Sequence, residues 1–552
     1  MAQFSILIIS LSCGLISPLI YVKASSFWYD ELFTAYVTDP YVNFGETVRR
    51  IKSDLVPPVY YIFGRLINQI FGNDDASLRY SSALLFICAV LLFIFSTRKI
   101  FSIRARLFAA CLAVSSKYYF YQSQNARNYA LTVFLVMCAI ALAIQLERRS
   151  RSNTASKFDG FAFSAVCAVA SFTHFYALFA VVFLHLAVAL KTPTRRTVMA
   201  LSGLGIVTAV ATYVHFVTQP LAMFSTKFNW IGGNVQWYVG QIIEVLRSTI
   251  GAFAGIAVAG MIVLAAWIHI RHRENNTLDS REKHAGGIIP RLVTTTAGIS
   301  LPTLLIFGPV FILIAGVASS VIVAPNLTAR NVLTGVPFIW LGFAWLYDRS
   351  MTRLAGGIGA WVATASALLA LLGGSVVLAR SVPANEPWRE ADALMATYPD
   401  CPLRPVVVVM NEDPRWIKPG FSSVVTSAAA THYHRSGMAP VGVYARDIVS
   451  GKLPAGLTAA LKARFANPSC PVVAEWVHQA DPALLPAILD GMARALDLPD
   501  ATIALKVTTL HYWTINMFGV ARMDHVAYVV TFAPASGQAA PATPLARERP
   551  LN

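Results

Sequence analysis

The sequence is short of charge. Only 13% of its 552 residues are Asp, Glu, Lys or Arg, against 56% hydrophobic residues, a balance outside the range of an ordinary water-soluble globule. A Walker phosphate loop, an HExxH helix, a cysteine-rich zinc pattern and an internal repeat are all missing. Those absences exclude P-loop nucleotide hydrolysis, zincin-type hydrolysis, zinc-finger modules and solenoid architecture. Acidic residues are scarce, 28 against 44 Lys and Arg, giving a net charge of +16. A nucleic-acid partner does not follow. Residues 380–552 hold 15 Lys/Arg and 14 Asp/Glu, so the surplus lies in the hydrophobic part, where basic residues between membrane spans report topology.

Long apolar runs are what the chain has instead. Eleven spans are expected, at 3–23, 76–97, 105–120, 128–146, 160–173, 175–190, 197–217, 249–270, 297–322, 331–346 and 355–378. Several approach the ~20 residues that cross ~30 Å of hydrocarbon, and the shorter ones tilt little or enter partway. The loops after the even-numbered spans carry 18 of the 29 basic residues before position 380, among them Arg98, Arg149, Lys191, Arg273 and Arg349. The positive-inside bias makes those loops cytoplasmic and turns the opposite loops and the C-terminal domain outward. Cys13, Cys88, Cys111, Cys138 and Cys167 fall in spans, as small hydrophobes. Cys401 and Cys470 lie in the outward domain as a disulfide candidate, with two free buried thiols as the alternative. The N-terminus lacks a basic n-region and its apolar run is long, so a retained first span is expected rather than a signal peptide cut after Ala24.

Residues 25–75 form an outer first loop. "DPYVNFGETVRRIKSD" and "VPPVYYIFGRLINQIFGND" space apolar residues at helical intervals, as interfacial amphipathic helices do, the second opened by Pro57-Pro58 and closed by Gly72-Asn73. The transmembrane domain thus covers 1–379. Strand-like "PVVVVMNED", "PVVAEW", "IALKVTTLHYW" and "HVAYVVTFAP" alternate with helix-like stretches, so 380–535 is expected to be a soluble α/β domain, followed by a Pro/Ala-rich disordered tail at 536–552.

Polar residues recur where spans meet the outer side. Asp30 and Glu31 follow the first span in "SSFWYDELFTAY"; Lys117, Tyr118, Tyr119, Arg127, His174, Lys227 and Arg330 stand in later outer stretches. Cations at headgroup depth suit a phosphate, Arg as a planar fork and Lys as a point charge. A carboxylate in such a cavity suits a general base that removes a proton from a hydroxyl nucleophile. Together they describe transfer from a lipid-linked phosphate donor.

"FWYDELFTAY", "PPVYYIFGRL", "SLRYSSALL", "YYFYQSQNARNYAL", "THFYALF" and "ARNVLTGVP" resemble, in order, the landmarks of the bacterial relatives of protein O-mannosyltransferases, which include the aminoarabinose transferase of lipid A modification. The resemblance covers roughly residues 5–350. It implies a polytopic α-helical GT-C fold and an inverting glycosyltransferase that uses a polyprenyl-phosphate sugar. The implied acceptor is a hydroxyl of lipid A or another glycolipid, a polysaccharide or a protein, on the periplasmic side of a bacterial inner membrane. Asp30 is then the expected base, with Glu31 beside it, Arg127 holds the donor phosphate with Arg330 or Lys117 assisting, and Tyr118, Tyr119, His174 and Lys227 line the pocket. Relatives differ in whether they need a divalent metal, so none is assigned. Where many relatives have Glu, this chain has Asn125.

Blander roles compete for the same residues. Asp30 and Glu31 also suit a helix N-terminus, and the arginines also suit headgroup contact by snorkelling. For the whole chain the alternatives are a transporter or flippase for lipid-linked sugars and a non-catalytic envelope assembly protein; a transporter would place its ionisable groups near the midplane on repeated halves.

Overall fold

A computed structural model describes residues 2–22, 26–52, 56–191, 205, 233–250, 300–322, 325–351, 365, 404–410, 432, 438–465, 472–476, 483–496, 502–516 and 519–532. The chain divides into two compact units, one of Met1–Ala24, Val37–Pro383 and Trp513–Arg522, the other of Ser25–Tyr36, Ala384–Tyr512 and Met523–Asn552.

The first unit is a helical bundle. Its first helix, α1 (Ala2–Tyr21), contains Pro18, which cannot donate to the carbonyl of Gly14; Ser17 Oγ donates to that oxygen instead, at 3.1 Å. Gly14 lies so close to α6 (Ile103–Val114) that a Cβ on it would meet Val114 Cγ2 at 2.2 Å. On α6, Ala105, Ala109, Ala110, Cys111 and Ala113 are all buried. Small residues at a helix contact are what holds helices together in lipid, where burying a large apolar side chain gains little over leaving it among acyl tails. The central pair, α5 (Asp75–Ser96) and α8 (Tyr129–Arg151), packs together, and α8 also meets α9 (Lys157–Ser171) and α10 (Phe175–Lys191).

Among the described residues, three helices are long and apolar enough to cross a membrane: Asp75–Ser96, Tyr129–Arg151 and Leu301–Ile322. The last comprises α12 (Leu301–Leu305) and α13 (Gly308–Ile322), joined by a short turn. Apart from isolated positions, the expected spans at 197–217, 249–270 and 355–378 lie outside the described residues. The expected span 105–120 is two helices, α6 and α7 (Lys117–Ser123). The break has a local cause: Ser115 and Ser116 hydroxyls donate back to Leu112 O and Ala113 O, at 3.2 and 2.7 Å, and Ser116 Oγ then accepts the Tyr119 N–H at 3.1 Å. Likewise the run at 331–346 begins with the short α14 (Ala329–Val332) and a 3-10 turn (Leu333–Gly335) before α15 (Val336–Met351).

The two amphipathic helices of the first loop form as their sequences direct. Asn43 caps α3 (Phe44–Ile51), its Oδ1 accepting the Glu46 N–H at 2.8 Å. Pro58 opens α4 (Pro58–Phe71), and Gly72 ends it with φ of 94°, a conformation that suits glycine. Between these helices, buried Arg65 donates to Asp39 O at 2.5 Å, Val42 O at 2.6 Å and Thr47 Oγ1 at 2.8 Å.

Apart from Trp513–Arg522, grouped with the first unit, the second unit holds a five-stranded sheet of order β2-β1-β3-β5-β4, from β1 (Arg404–Met410), β2 (Met438–Tyr444), β3 (Val472–Trp476), β4 (Thr502–Asn516) and β5 (Gly519–Phe532). β1 runs parallel to β2, Arg404 opposite Met438, and to β3, while β5 is antiparallel to β3, with Val472 opposite Phe532. Helices α16 (Ala445–Val449), α17 (Ala455–Phe465) and α18 (Leu485–Leu496) share a small core of Ile448, Leu461, Ile488 and Met492. In the same unit, Phe27 stacks on His432 with ring centroids 4.9 Å apart.

Candidate active site

Arg127 sits in the corner between α7 and α8. That corner is pinned from α5, where Ser82 Oγ donates to Asn125 O at 2.9 Å, and internally by the Arg127 N–H on the same oxygen at 2.8 Å. Asn128, at the cap position of α8, makes no side-chain cap bond. Its amide nitrogen instead reaches the α9–α10 turn and donates to Thr173 O at 2.8 Å.

His174 is the next residue of that turn and is buried. Its Nδ1 accepts the Tyr176 N–H at 3.1 Å, which leaves the ring proton on Nε2 and fixes the tautomer. The imidazole pKa is lowered to about 3: burial disfavours the charged form, and the cations of Arg330 and Arg127 add to that, outweighing the opposite pull of the Asn331 side chain. A neutral, oriented imidazole therefore stands in the field of two guanidinium groups.

Arg330 belongs to the segment between α13 and α15, which a network of amides holds in shape. Asn326 Oδ1 accepts from Tyr176 Oη at 2.8 Å and from Ser320 Oγ at 3.0 Å; its amide nitrogen donates to Ser319 Oγ at 2.9 Å. Asn331 donates to Asn326 O at 2.9 Å. Tyr176 reaches this network because α13 has a glycine beneath it: a Cβ on Gly316 would lie 2.9 Å from the tyrosine hydroxyl. From α11 (Val235–Ile250), Trp237 Nε1 donates to Leu327 O at 2.9 Å and Gln241 Oε1 accepts the Ala329 N–H at 2.7 Å.

The other candidates of this unit have different surroundings. Lys117 is ion-paired to Glu244 of α11 at 3.2 Å, with its ammonium 5.8 Å from the Tyr121 ring centroid. Glu244 also accepts from Ser248 Oγ at 3.0 Å. Tyr118 and Tyr119 are buried with their rings edge-on to Phe86, at 6.0 and 5.4 Å, and neither hydroxyl has a hydrogen-bond partner among the described residues. Lys227, Cys401 and Cys470 lie outside the described residues.

The acidic pair opens α2 (Tyr29–Val37) and is grouped with the second unit. The two acids are not equivalent. Glu31 is 1% exposed, and its Oε2 accepts the Trp28 N–H at 3.2 Å while Trp28 O accepts the N–H groups of Glu31 and Leu32 at 2.9 Å. This carboxylate reaches back to the helix start, a capping role that the positive end of the helix favours. Asp30 is only half-buried, and its backbone oxygen accepts from Thr34 Oγ1 at 3.1 Å.

The structure thus brings together Arg127, Arg330 and His174, commits Lys117 to Glu244, and gives Glu31 a helix to cap. Asn128, Asn326, Asn331, Tyr176 and Glu244 are participants that sequence reasoning missed. Among the described residues no group of three His, Cys, Asp or Glu side chains is placed to hold a metal ion.

Comparison with known proteins adds a fold and a relationship. The family described as dolichyl-phosphate-mannose-protein mannosyltransferase matches residues 55–224, a stretch that contains Arg127 and His174 but neither Arg330 nor the acidic pair. No curated protein matches the chain. Among solved structures, ArnT from Cupriavidus metallidurans in the apo state superposes with a TM-score of 0.53 at 14% identity, covering 96% of this chain and 98% of ArnT. ArnT of the same organism bound to undecaprenyl phosphate gives 0.50 at 13% identity, covering 95% and 97%. The chain therefore has the GT-C fold that its sequence led us to expect, shared with ArnT, and is related to the protein mannosyltransferases.

Proposed function

We propose that the protein is a glycosyltransferase that moves a sugar from a polyprenyl-phosphate donor to a hydroxyl of an envelope glycolipid, polysaccharide or protein at the periplasmic face of the inner membrane. The observation that carries this reading is the convergence of Arg127 and Arg330 on the neutral His174 at one end of the bundle, in a chain with the fold of a protein crystallised with undecaprenyl phosphate. Two guanidinium groups on an uncharged imidazole suit the phosphate of such a donor. Lys117 contributes less, because Glu244 takes up its charge.

Asp30 supplies the base. The acceptor oxygen attacks C1 of the sugar with inversion, its proton passes to the Asp30 carboxylate, and the C1–O bond to phosphate breaks, releasing polyprenyl phosphate. The leaving group needs no protonation near neutral pH, so fixed cations stabilise the charge that develops on it. Glu31, held at the helix start by Trp28, positions its neighbour.

The test follows label from radiolabelled polyprenyl-phosphate sugars into envelope extract. Transfer by wild type and a fall of ~10² to 10⁴ in Asp30→Asn is expected from loss of a general base. Near-normal transfer by a folded Asp30→Asn would remove Asp30 from the role. Binding or translocation of a polyprenyl lipid with no sugar transferred would favour a transporter.

A further inference from the structure

Lys117 and the backbone leading into Arg330 are held by neighbouring positions on one helix. Along α11, Trp237, Gln241, Glu244 and Ser248 recur at three- and four-residue intervals and so share one face. Each is bonded there. Trp237 Nε1 donates to Leu327 O at 2.9 Å and Gln241 Oε1 accepts the Ala329 N–H at 2.7 Å, while Glu244 Oε1 accepts from the Lys117 ammonium at 3.2 Å and from Ser248 Oγ at 3.0 Å. The opposite face carries Val239, Ile243 and Leu246, all exposed. Gln241 and Glu244 stand one turn apart, about 5 to 6 Å between their Cβ atoms. The residue before Arg330 and the ammonium of Lys117 are therefore drawn to adjacent points of the same helix. The side chains of Lys117 and Glu244 are 33% and 35% exposed, so an incoming anion can reach the pair.

We infer that Glu244 is a specificity-determining residue: by neutralising Lys117 beside the Arg330 segment, it confines the site to donors that carry their sugar on a single phosphate and turns away lipid-linked diphosphates. This rests on the reading of Arg127 and Arg330 as donor-phosphate ligands. A diphosphate brings a second phosphoryl group, and an anion that leaves bulk water for a partly buried site needs a cation of its own. Lys117 has the right chemistry for that, a point charge on a flexible stem. Glu244 cancels the charge, and its carboxylate repels the added phosphoryl group. Ser248, one turn on, holds the carboxylate in place, and the Tyr121 ring, 5.8 Å from the ammonium, favours the lysine where it stands.

The experiment compares binding of undecaprenyl phosphate and undecaprenyl diphosphate to the full chain in nanodiscs. Wild type should prefer the monophosphate. Glu244→Gln keeps an oxygen for Ser248 and Lys117 and removes only the charge. It should tighten the diphosphate more than the monophosphate, moving the ratio of the two affinities by roughly tenfold, the worth of a hydrogen bond to a charged group. Adding Lys117→Met should cancel that shift, because Glu244 acts through the cation it withholds. A ratio unchanged in Glu244→Gln, or a shift that survives Lys117→Met, overturns the role of Glu244; if Arg127→Ala and Arg330→Ala still weaken the monophosphate, the phosphate reading stands. Arginine variants that bind the monophosphate like wild type overturn the phosphate reading and the inference with it. Should Glu244→Gln fail to fold, Glu244→Ala serves the same comparison, and a wild type that binds both lipids equally well overturns the inference without any variant.

Discussion

The two ends of α8, roughly 34 Å apart at 1.5 Å per residue, use arginine in opposite ways. At the C-terminal end two arginines meet carboxylates: Arg151 pairs with Glu147 at 2.6 Å and Arg149 with Asp159, whose side chain also forms the capping box of α9 with Ser156. Nearby, Asp348 of α15 accepts from Ser102 Oγ at 2.6 Å and Ser102 N–H at 3.0 Å at the start of α6. At the N-terminal end Arg127 and Arg330 act on one neutral imidazole in a frame of asparagine and threonine. Arginines bonded to carboxylates at helix ends anchor loops, whereas two guanidinium groups beside one neutral imidazole suit an anion.

That contrast breaks most sharply in turnover. Arg127→Ala and Arg330→Ala should each lower sugar transfer by ~10² to 10³, the usual cost of removing a group that stabilises developing charge. Arg149→Ala should leave transfer within about twofold and lower stability by no more than about 1 kcal/mol, since its guanidinium is largely solvated. Parallel rate and thermal-unfolding measurements on the three variants decide it: comparable losses of transfer at both ends would erase the difference between them.

Arg65 is a third case, a buried arginine spent on backbone. Arg65→Ala strands the carbonyls of Asp39 and Val42 and should cost about 2 to 3 kcal/mol. Arg65→Lys should recover little, because an ammonium cannot reproduce the fork that spans both oxygens. Unfolding midpoints, with proteolysis of the loop between α2 and α3 as a local probe, measure this. A fully stable Arg65→Ala would show that the loop holds without its clamp.

The pattern of what was legible follows from the range of each interaction. Bundle class, the amphipathic helices α3 and α4 and the ends of α4 at Pro58 and Gly72 were readable, since apolar spacing and terminal residues act locally. The break at Ser115-Ser116 was not, because hydropathy averages over a serine pair whose effect lies in where two hydroxyls donate. Arg127, His174 and Arg330 stood out singly as polar residues at span ends. Lys117 looked like their equal until Glu244, 127 positions away, took its charge. Asn128, beside Arg127, was legible as a letter, but its task depends on a contact 45 residues away, which no local pattern encodes.

A finer distinction between the ends concerns pH, and its effect near neutrality is the smallest. With its pKa lowered to about 3, His174 stays neutral in the folded protein across the physiological range, so it should give the transfer profile no limb between pH 5 and 8. Its signature lies in stability. The unfolded chain takes up the proton near 6.5 while the folded chain refuses it until about 3, so the unfolded state binds more protons in between. Stability therefore falls as pH drops through that window, by up to about 1.4 kcal/mol per pH unit. His174→Gln, neutral throughout, should lack this loss, and subtracting its unfolding curves from those of wild type removes every other titrating group. A difference that stays flat from pH 6.5 to 4 would mean that the imidazole protonates where it stands, so that neither its burial nor the cations of Arg330 and Arg127 hold it neutral.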